Sequence, residues 1–145
     1  MIPRHGHSLR DIAIKLAMSV APETTSAFAA SNAGMISMLL QCLAQDFDRA
    51  AESRVRDIAE MKQLFERTHA DVNDAALAAR LRDYLARQPK SFTLTDLDAL
   101  SAEGQNALIA LQTWAEEKGV SALDAEIWAF LERFADRHAF QLGGI

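Results

Sequence analysis

The chain has 145 residues, of which 50% are hydrophobic and 24% charged, with a single cysteine. This is the composition of one ordinary soluble domain, and it excludes collagen-like, disordered and disulfide-scaffolded proteins. The net charge of −5 argues against a protein whose main role is to coat nucleic acid or an anionic membrane. No apolar stretch of signal-peptide length precedes the first charged helix, so we expect a cytoplasmic protein.

Apolar residues recur with helical spacing, and Pro and Gly fall between the helical stretches. Ser8 is predicted to cap a first helix that closes near Pro22. A long second helix is predicted from about 25 to 68, without a proline to interrupt it. No segment alternates with a period of two, so no sheet is expected.

The length of the second helix sets a geometric problem. An unbroken helix over residues 25–68 is about 65 Å long, whereas a compact domain of this size is about 38 Å across. The helix therefore either bends or breaks, with residues 32–34 and 48–56 as candidate sites, or it projects and needs a partner to cover its far end. Residues 24–45 carry no charge, whereas residues 46–67 are densely charged. We interpret the first half as core and the second half as a surface or inter-subunit stretch.

The uncharged run from Thr24 to Gln45 is nominally long enough to span a bilayer. Eight of its 22 residues are polar, however, and its apolar residues are largely Ala and Met. A buried helix inside a bundle is the better interpretation, and no membrane association is expected.

Helix signals continue to the carboxyl end of the chain. Asp71 or Asn73 is predicted to cap a third helix. The link at Gly119 combines a left-handed helix C-cap with Ser121 as the next N-cap, which predicts a C-terminal antiparallel helical hairpin. The fold class is therefore all-α: a single-domain bundle of about five helices over residues 1–145, with residues 1–7 flexible.

A fourth helical stretch is predicted to start at Thr93 or Thr95, with an interruption at residues 101–104. This is the outline of a DNA-binding helix-turn-helix. The helix that would read the bases, residues 105–112, contains no Lys or Arg, and acidic residues precede it. Phosphate repulsion excludes DNA binding here, and no nucleic-acid partner is expected.

One metal-ligand spacing is present. Glu66 and His69 have the Glu-x-x-His spacing found in ferritin-like di-iron bundles, which places both side chains on one helical face. Such a centre needs two of these motifs and two further glutamates, so the competing interpretation is a solvated pair at a helix end. Phosphate-binding loops, zinc spacings and nucleophile elbows are lacking, so the sequence assigns no catalytic residue and no cofactor.

Two functions remain. The first is a non-enzymatic bundle that acts through protein–protein contacts, as a homodimer built on the second helix or with another protein partner. Its candidate interface is a strip of small residues that lets a backbone approach closely, from the same chain or a second copy: Ala30, Gly34 and Ser37. The alternative is a small-molecule or metal pocket in the helix core, with polar anchors between aromatic walls: Asn32, Gln41, His138, Trp114 and Trp128.

Overall fold

The computed structural model describes residues 5–141, which form five α-helices with no strand among them. The helices are α1 (His5–Lys15), α2 (Ala27–Thr68), α3 (Ala75–Ala86), α4 (Leu94–Lys118) and α5 (Ser121–His138). This confirms the all-α prediction and the long second helix. Of the segment predicted to be flexible, residues 1–4 lie outside the described residues, and α1 already begins at His5, before the predicted cap Ser8.

The connection between α1 and α2 remains helical almost throughout. After Lys15 the chain widens into a π-helical turn, Leu16–Val20, and then tightens into a 3-10 turn, Ala21–Glu23. Pro22 lies in this last turn, as its fixed φ and missing N–H predict. The Thr24 hydroxyl donates to the Ala21 carbonyl at 2.8 Å, in addition to the bond from the Thr24 backbone N–H to the same carbonyl.

Of the alternatives left open for the second helix, a break is absent, because α2 is one uninterrupted helix of 42 residues. The described chain nevertheless falls into two compact units. Unit 1 comprises residues 5–50 and 140–141, and unit 2 comprises Ala51–Ala139. The first half of α2 belongs to unit 1 and the second half to unit 2. The single-domain prediction stays a prediction.

Unit 2 has the hydrophobic core. The second half of α2 buries a stripe at helical spacing, which packs with buried side chains of α3, α4 and α5: Ile58, Met61, Leu64, Phe65, Leu81, Tyr84, Leu97, Leu111, Ile127 and Phe130. Our assignment of this half to the surface is therefore wrong. Its many charges occupy the other faces of the helix, and the apolar stripe between them is sufficient for a core.

Helix α4 is continuous, so the predicted interruption at residues 101–104 is also wrong. Gly104 lies in the interior of the helix because another side chain needs the space of its missing Cβ. A Cβ built there would lie 2.6 Å from Tyr84 Cζ and 2.8 Å from Met61 Cε. The glycine marks close packing of Tyr84 against α4 rather than a turn.

Local signals account for the other helix ends. Asp74, next to the predicted Asn73, caps α3, and its Oδ1 accepts from the Leu77 N–H at 2.9 Å. Thr93 caps α4 as predicted. Gly119 ends α4 with φ of 66° in the left-handed region, and α5 begins at Ser121 itself, which is its first helical residue rather than its cap. The C-terminal helical hairpin is confirmed.

Candidate functional site: an exposed apolar face of α2

The first half of α2 carries large apolar side chains that remain exposed in the part of the chain that the structure describes. Six of them are between 49% and 76% exposed: Phe28, Met35, Ile36, Leu39, Leu43 and Phe47. Because an α-helix turns by 3.6 residues, steps of three, four and seven place these side chains on one side. We call these six residues the apolar face. The prediction that this half is core is wrong.

The opposite side of α2 is the side that unit 1 buries. Ala33, Ser37 and Ala44 are buried there, at spacings that place them together on the helix. The Ser37 hydroxyl donates to the carbonyl of Ala13 in α1 at 2.7 Å. Small side chains on this side let α1 approach closely. At the end of the apolar face, the Phe47 ring also meets α1, with its centroid 5.4 Å from that of the His5 ring in an edge-on arrangement.

Beyond Phe47, the end of the described chain packs beside α2. The Gln45 amide donates to the Gln141 carbonyl at 3.1 Å, and the Gln141 N–H donates back to Gln45 Oε1 at 3.0 Å. The Arg49 guanidinium lies 5.7 Å from the centre of the Phe140 ring, within cation–π range. Ala50 is buried here, so the apolar face stops where this segment begins.

Helix α2 is also long and apolar enough to cross a membrane, judged by length and composition alone. Its most apolar 18-residue window has a mean hydropathy of 1.4, and 17% of that window is buried. One helix of this kind is weak evidence for a membrane span, because helices of other origin pass the same criterion. What the low burial does establish is a large apolar surface that faces outward.

Unit 2 holds a second feature, a buried ionic cluster between α2 and α5. Asp57 is 1% exposed, and its carboxylate accepts from Arg137 Nε at 2.7 Å and from His138 Nε2 at 2.6 Å. Arg137 also donates from Nη1 to Glu60 at 2.8 Å, and Arg133 donates to the same carboxylate at 3.1 Å. The cluster joins the end of α5 to the middle of α2.

The electrostatics of the cluster favour the charged states of Glu60 and Arg137. The hydrogen bond from Arg137 lowers the pKa of Glu60, against the opposing effect of burial, and Arg133 lowers it further. Burial acts to lower the pKa of Arg137, but its bonds to Glu60 and Asp57 outweigh burial and raise it. On its other side, the His138 ring lies against the Phe134 ring, with the ring centroids 4.5 Å apart.

The sequence reasoning missed this cluster. In the sequence-based prediction, His138 is an anchor of a core pocket and Arg137 has no assigned role, whereas both bind Asp57, some eighty positions away. One signal was present: Asp57 lies four residues before Met61, on the stripe that α2 buries. A carboxylate on a buried stripe needs a partner, and a helix end rich in Arg and His could supply one.

The predicted pocket residues lie in different surroundings. Asn32 and Gln41 are half-buried in unit 1. In unit 2, the Trp114 indole N–H donates to Asn73 at 3.2 Å, Trp128 is 53% exposed, and His138 belongs to the ionic cluster. Two clefts that Trp114 lines include neither Trp128 nor His138.

The clefts of unit 2 have other walls. The α3–α4 cleft, of about 390 Å³, lies beside Arg80, Asp83, Tyr84, Arg87 and Glu103. The Tyr84 hydroxyl is buried without a hydrogen-bond partner in the described chain, and burial, together with the nearby Glu103 carboxylate, raises its pKa.

The structure also places the residues of the predicted interface and of the predicted metal pair. In the predicted interface, Ser37 packs against α1, Ala30 is half-buried and Gly34 is exposed. In the predicted metal pair, His69 Nδ1 lies 3.1 Å from the carbonyls of Phe65 and Glu66, and Glu66 is exposed. Among residues 5–141, no three His, Cys, Asp or Glu side chains come together as a metal site would require.

Comparison with known proteins adds no relative: no family model, no curated protein and no solved structure matches the chain.

Proposed function

We propose that this protein acts through protein–protein contacts and that a second copy of the chain covers the apolar face of α2. One observation carries the proposal, namely that six large apolar side chains lie together and about half exposed on one side of a helix. Soluble monomers rarely expose a contiguous apolar patch larger than a few hundred Å². A partner removes this surface from water without any change in the fold.

The size of the face fits a second copy. If a fully exposed large side chain presents about 150–250 Å² to water, the exposed fractions of the six side chains add up to on the order of 600 Å² per copy. Flanking residues are not included in this area. A stable interface buries about 800 Å² per partner. Residues beside the face, such as Met38 and Asn32, supply the remainder. The proposal keeps the protein in the cytoplasm, without a cofactor, nucleic acid or membrane.

Light scattering after size exclusion at micromolar concentration tests the proposal. The wild-type chain should elute with the mass of a dimer. The substitution Leu39→Glu places a carboxylate in the centre of the face and should weaken the dimer at least about a hundredfold, because two unpaired charges would be buried per dimer.

The matched control is Ile109→Glu, an equally drastic change at an apolar residue of α4 that is 63% exposed. It should leave the dimer intact. A wild-type chain that stays monomeric at all accessible concentrations would overturn the proposal. It would also be overturned if the chain sedimented with phosphatidylcholine vesicles and substitutions in the same six residues abolished this binding.

A further inference from the structure

The described part of unit 1 lacks a core of large side chains. Apart from Ser37, the residues that it buries among 5–50 and 140–141 are all small: Gly6, Ala13, Ala33, Ala44 and Ala50. Unit 2, by contrast, fully buries Met61, Phe65 and Leu81. Small units often rely on oligomerisation for their stability. The side chains that would fill a core of unit 1 lie largely at its surface instead.

Helix α1 runs antiparallel to the first half of α2. The His5 ring meets the Phe47 ring, and further along α1 the Ala13 carbonyl accepts from the Ser37 hydroxyl. As α1 advances from His5 to Ala13, its contacts on α2 therefore move back from Phe47 to Ser37. We call α1 and the part of α2 up to Phe47 the α1–α2 hairpin.

One side of α1 extends the apolar face. Phe47 belongs to this face, so its contact with His5 marks the side of α1 that borders it. Ile12 lies seven residues, or about two turns, after His5 and therefore falls on the same side, where it is 56% exposed. Half-buried Leu9 lies between them on this side. Ile14, two residues after Ile12, points the opposite way and is 45% exposed.

The end of the described chain packs on the other side of the hairpin. Gln45 precedes Phe47 by two residues and therefore points away from it on α2. It is Gln45 that exchanges hydrogen bonds with Gln141. A partner can therefore cover the side that carries Ile12 and Phe47 without displacing residues 140–141.

We propose that two copies pack their α1–α2 hairpins face to face, so that Ile12 joins the apolar face in a shared four-helix core. This inference rests on the proposed homodimer and adds a second helix to its interface. A partner that covers Phe47 also reaches α1, because the His5 ring lies against Phe47. Leu9 and Ile12 then add to the area of the apolar face, toward the about 800 Å² per partner of a stable interface.

The shared core also answers the lack of large buried side chains in unit 1. A helix with an apolar stripe must bury it against another element, and four helices around one core are a stable way to do so. In the dimer, each hairpin supplies the side chains that the other cannot enclose alone. The stability of unit 1 should therefore rise with protein concentration.

Two isoleucines of α1 form a matched pair for the test. Ile12→Glu should raise the dissociation constant of the dimer at least about tenfold, because a carboxylate would be buried without a partner in each copy. Ile14→Glu is the same change on the opposite side of α1, and it should alter the constant less than about twofold. Sedimentation equilibrium over a concentration series measures both constants.

Thiol accessibility gives a second readout with a milder substitution. In a Cys42→Ala background, a maleimide is allowed to react with Leu39→Cys, Ile12→Cys or Ile14→Cys below and above the dissociation constant. Above it, the thiols at positions 39 and 12 should react at least about tenfold more slowly, because the packed centre of an interface excludes water. The thiol at position 14 should keep its rate.

The two failures are distinguishable. A chain that stays monomeric in sedimentation overturns the proposed dimer and this inference with it. If the thiol at position 39 is protected but the thiol at position 12 reacts equally fast at both concentrations, the dimer stands and the four-helix core is overturned. Equal protection at positions 12 and 14 also overturns it. Protection at 39 and 12 but not at 14 supports both proposals.

Discussion

Asp57 shows how a single buried charge determines what its neighbours must be. Its carboxylate is almost fully enclosed, so the bonds from Arg137 and His138 replace the water that the unfolded chain provides. Buried ion pairs add little net stability relative to apolar side chains, but removal of only one partner is strongly destabilising because it leaves the other charge buried and unpaired. The cluster therefore fixes where the end of α5 lies on α2.

The substitution Arg137→Met should destabilise the protein by about 3 kcal/mol, because it leaves the Asp57 carboxylate buried without its main cation. Urea unfolding followed by circular dichroism measures the change. Arg133→Met is the control, because the Arg133 side chain is 56% exposed and binds only the outer carboxylate of the cluster. It should cost less than about 1 kcal/mol. Equal losses for the two variants would contradict this account.

Glu60 makes the stability depend on pH. Its pKa is lowered in the folded protein by Arg137 and then Arg133, with Asp57 and His138 as the other charged or titratable groups of the cluster. A lowered folded-state pKa contributes stability above the ordinary value of 4.5, and this contribution is lost as pH falls through the folded-state pKa. Glu60→Gln should therefore be less stable than wild type at pH 7, with the difference shrinking below pH 4.5.

Thermal unfolding at both ends of this range would measure the effect. The same comparison with Glu132→Gln, an exposed carboxylate of α5, should show no such change with pH. A gap between wild type and Glu60→Gln that persists unchanged in acid would show that Glu60 acts through packing rather than charge.

At the scale of the helices, periodicity and caps were sufficient to predict the elements, because both are local. The long α2, the cap at Thr93 and the left-handed end at Gly119 follow from neighbours within a few residues. The pattern could not show which apolar stripe is covered, since burial depends on what other elements the chain brings against it. Residues 24–45 have the composition of a core helix, but most of their large apolar side chains stay exposed in the described chain, where α1 and residues 140–141 pack on this half of α2.

Two glycines have opposite expected responses to substitution by alanine, because one lies inside a helix and the other lies just after a helix end. At both Gly34, inside α2, and Gly119, after α4, a Cβ would meet nothing within 4 Å, so sterics with neighbours play no part. Gly34→Ala should stabilise the protein by about 0.5–1 kcal/mol through helix propensity. Gly119→Ala should destabilise it by about 1 kcal/mol, because φ is positive there. Chemical denaturation of both variants gives the signs, and the same sign for both would contradict the assignment.

At the scale of the whole molecule, the candidate site is a surface rather than a pocket, and this explains why motifs did not find it. Catalytic and metal sites have fixed residue types at fixed spacings, whereas an interface needs only apolar side chains that remain uncovered. The apolar residues themselves can be read from the sequence. Whether they are uncovered is a property of the folded chain, and only the exposures of Phe28, Leu39 and Leu43 reveal it.

The shared helix has a consequence for how this protein can be cut or recombined. Proteases and gene fusions succeed where the backbone can leave its regular geometry, but here the boundary between the units falls between Ala50 and Ala51, inside α2. A break at that peptide would strand about four carbonyls on one fragment and four N–H groups on the other. A gene shortened at this boundary would therefore give each unit a new helix end without its own capping residue.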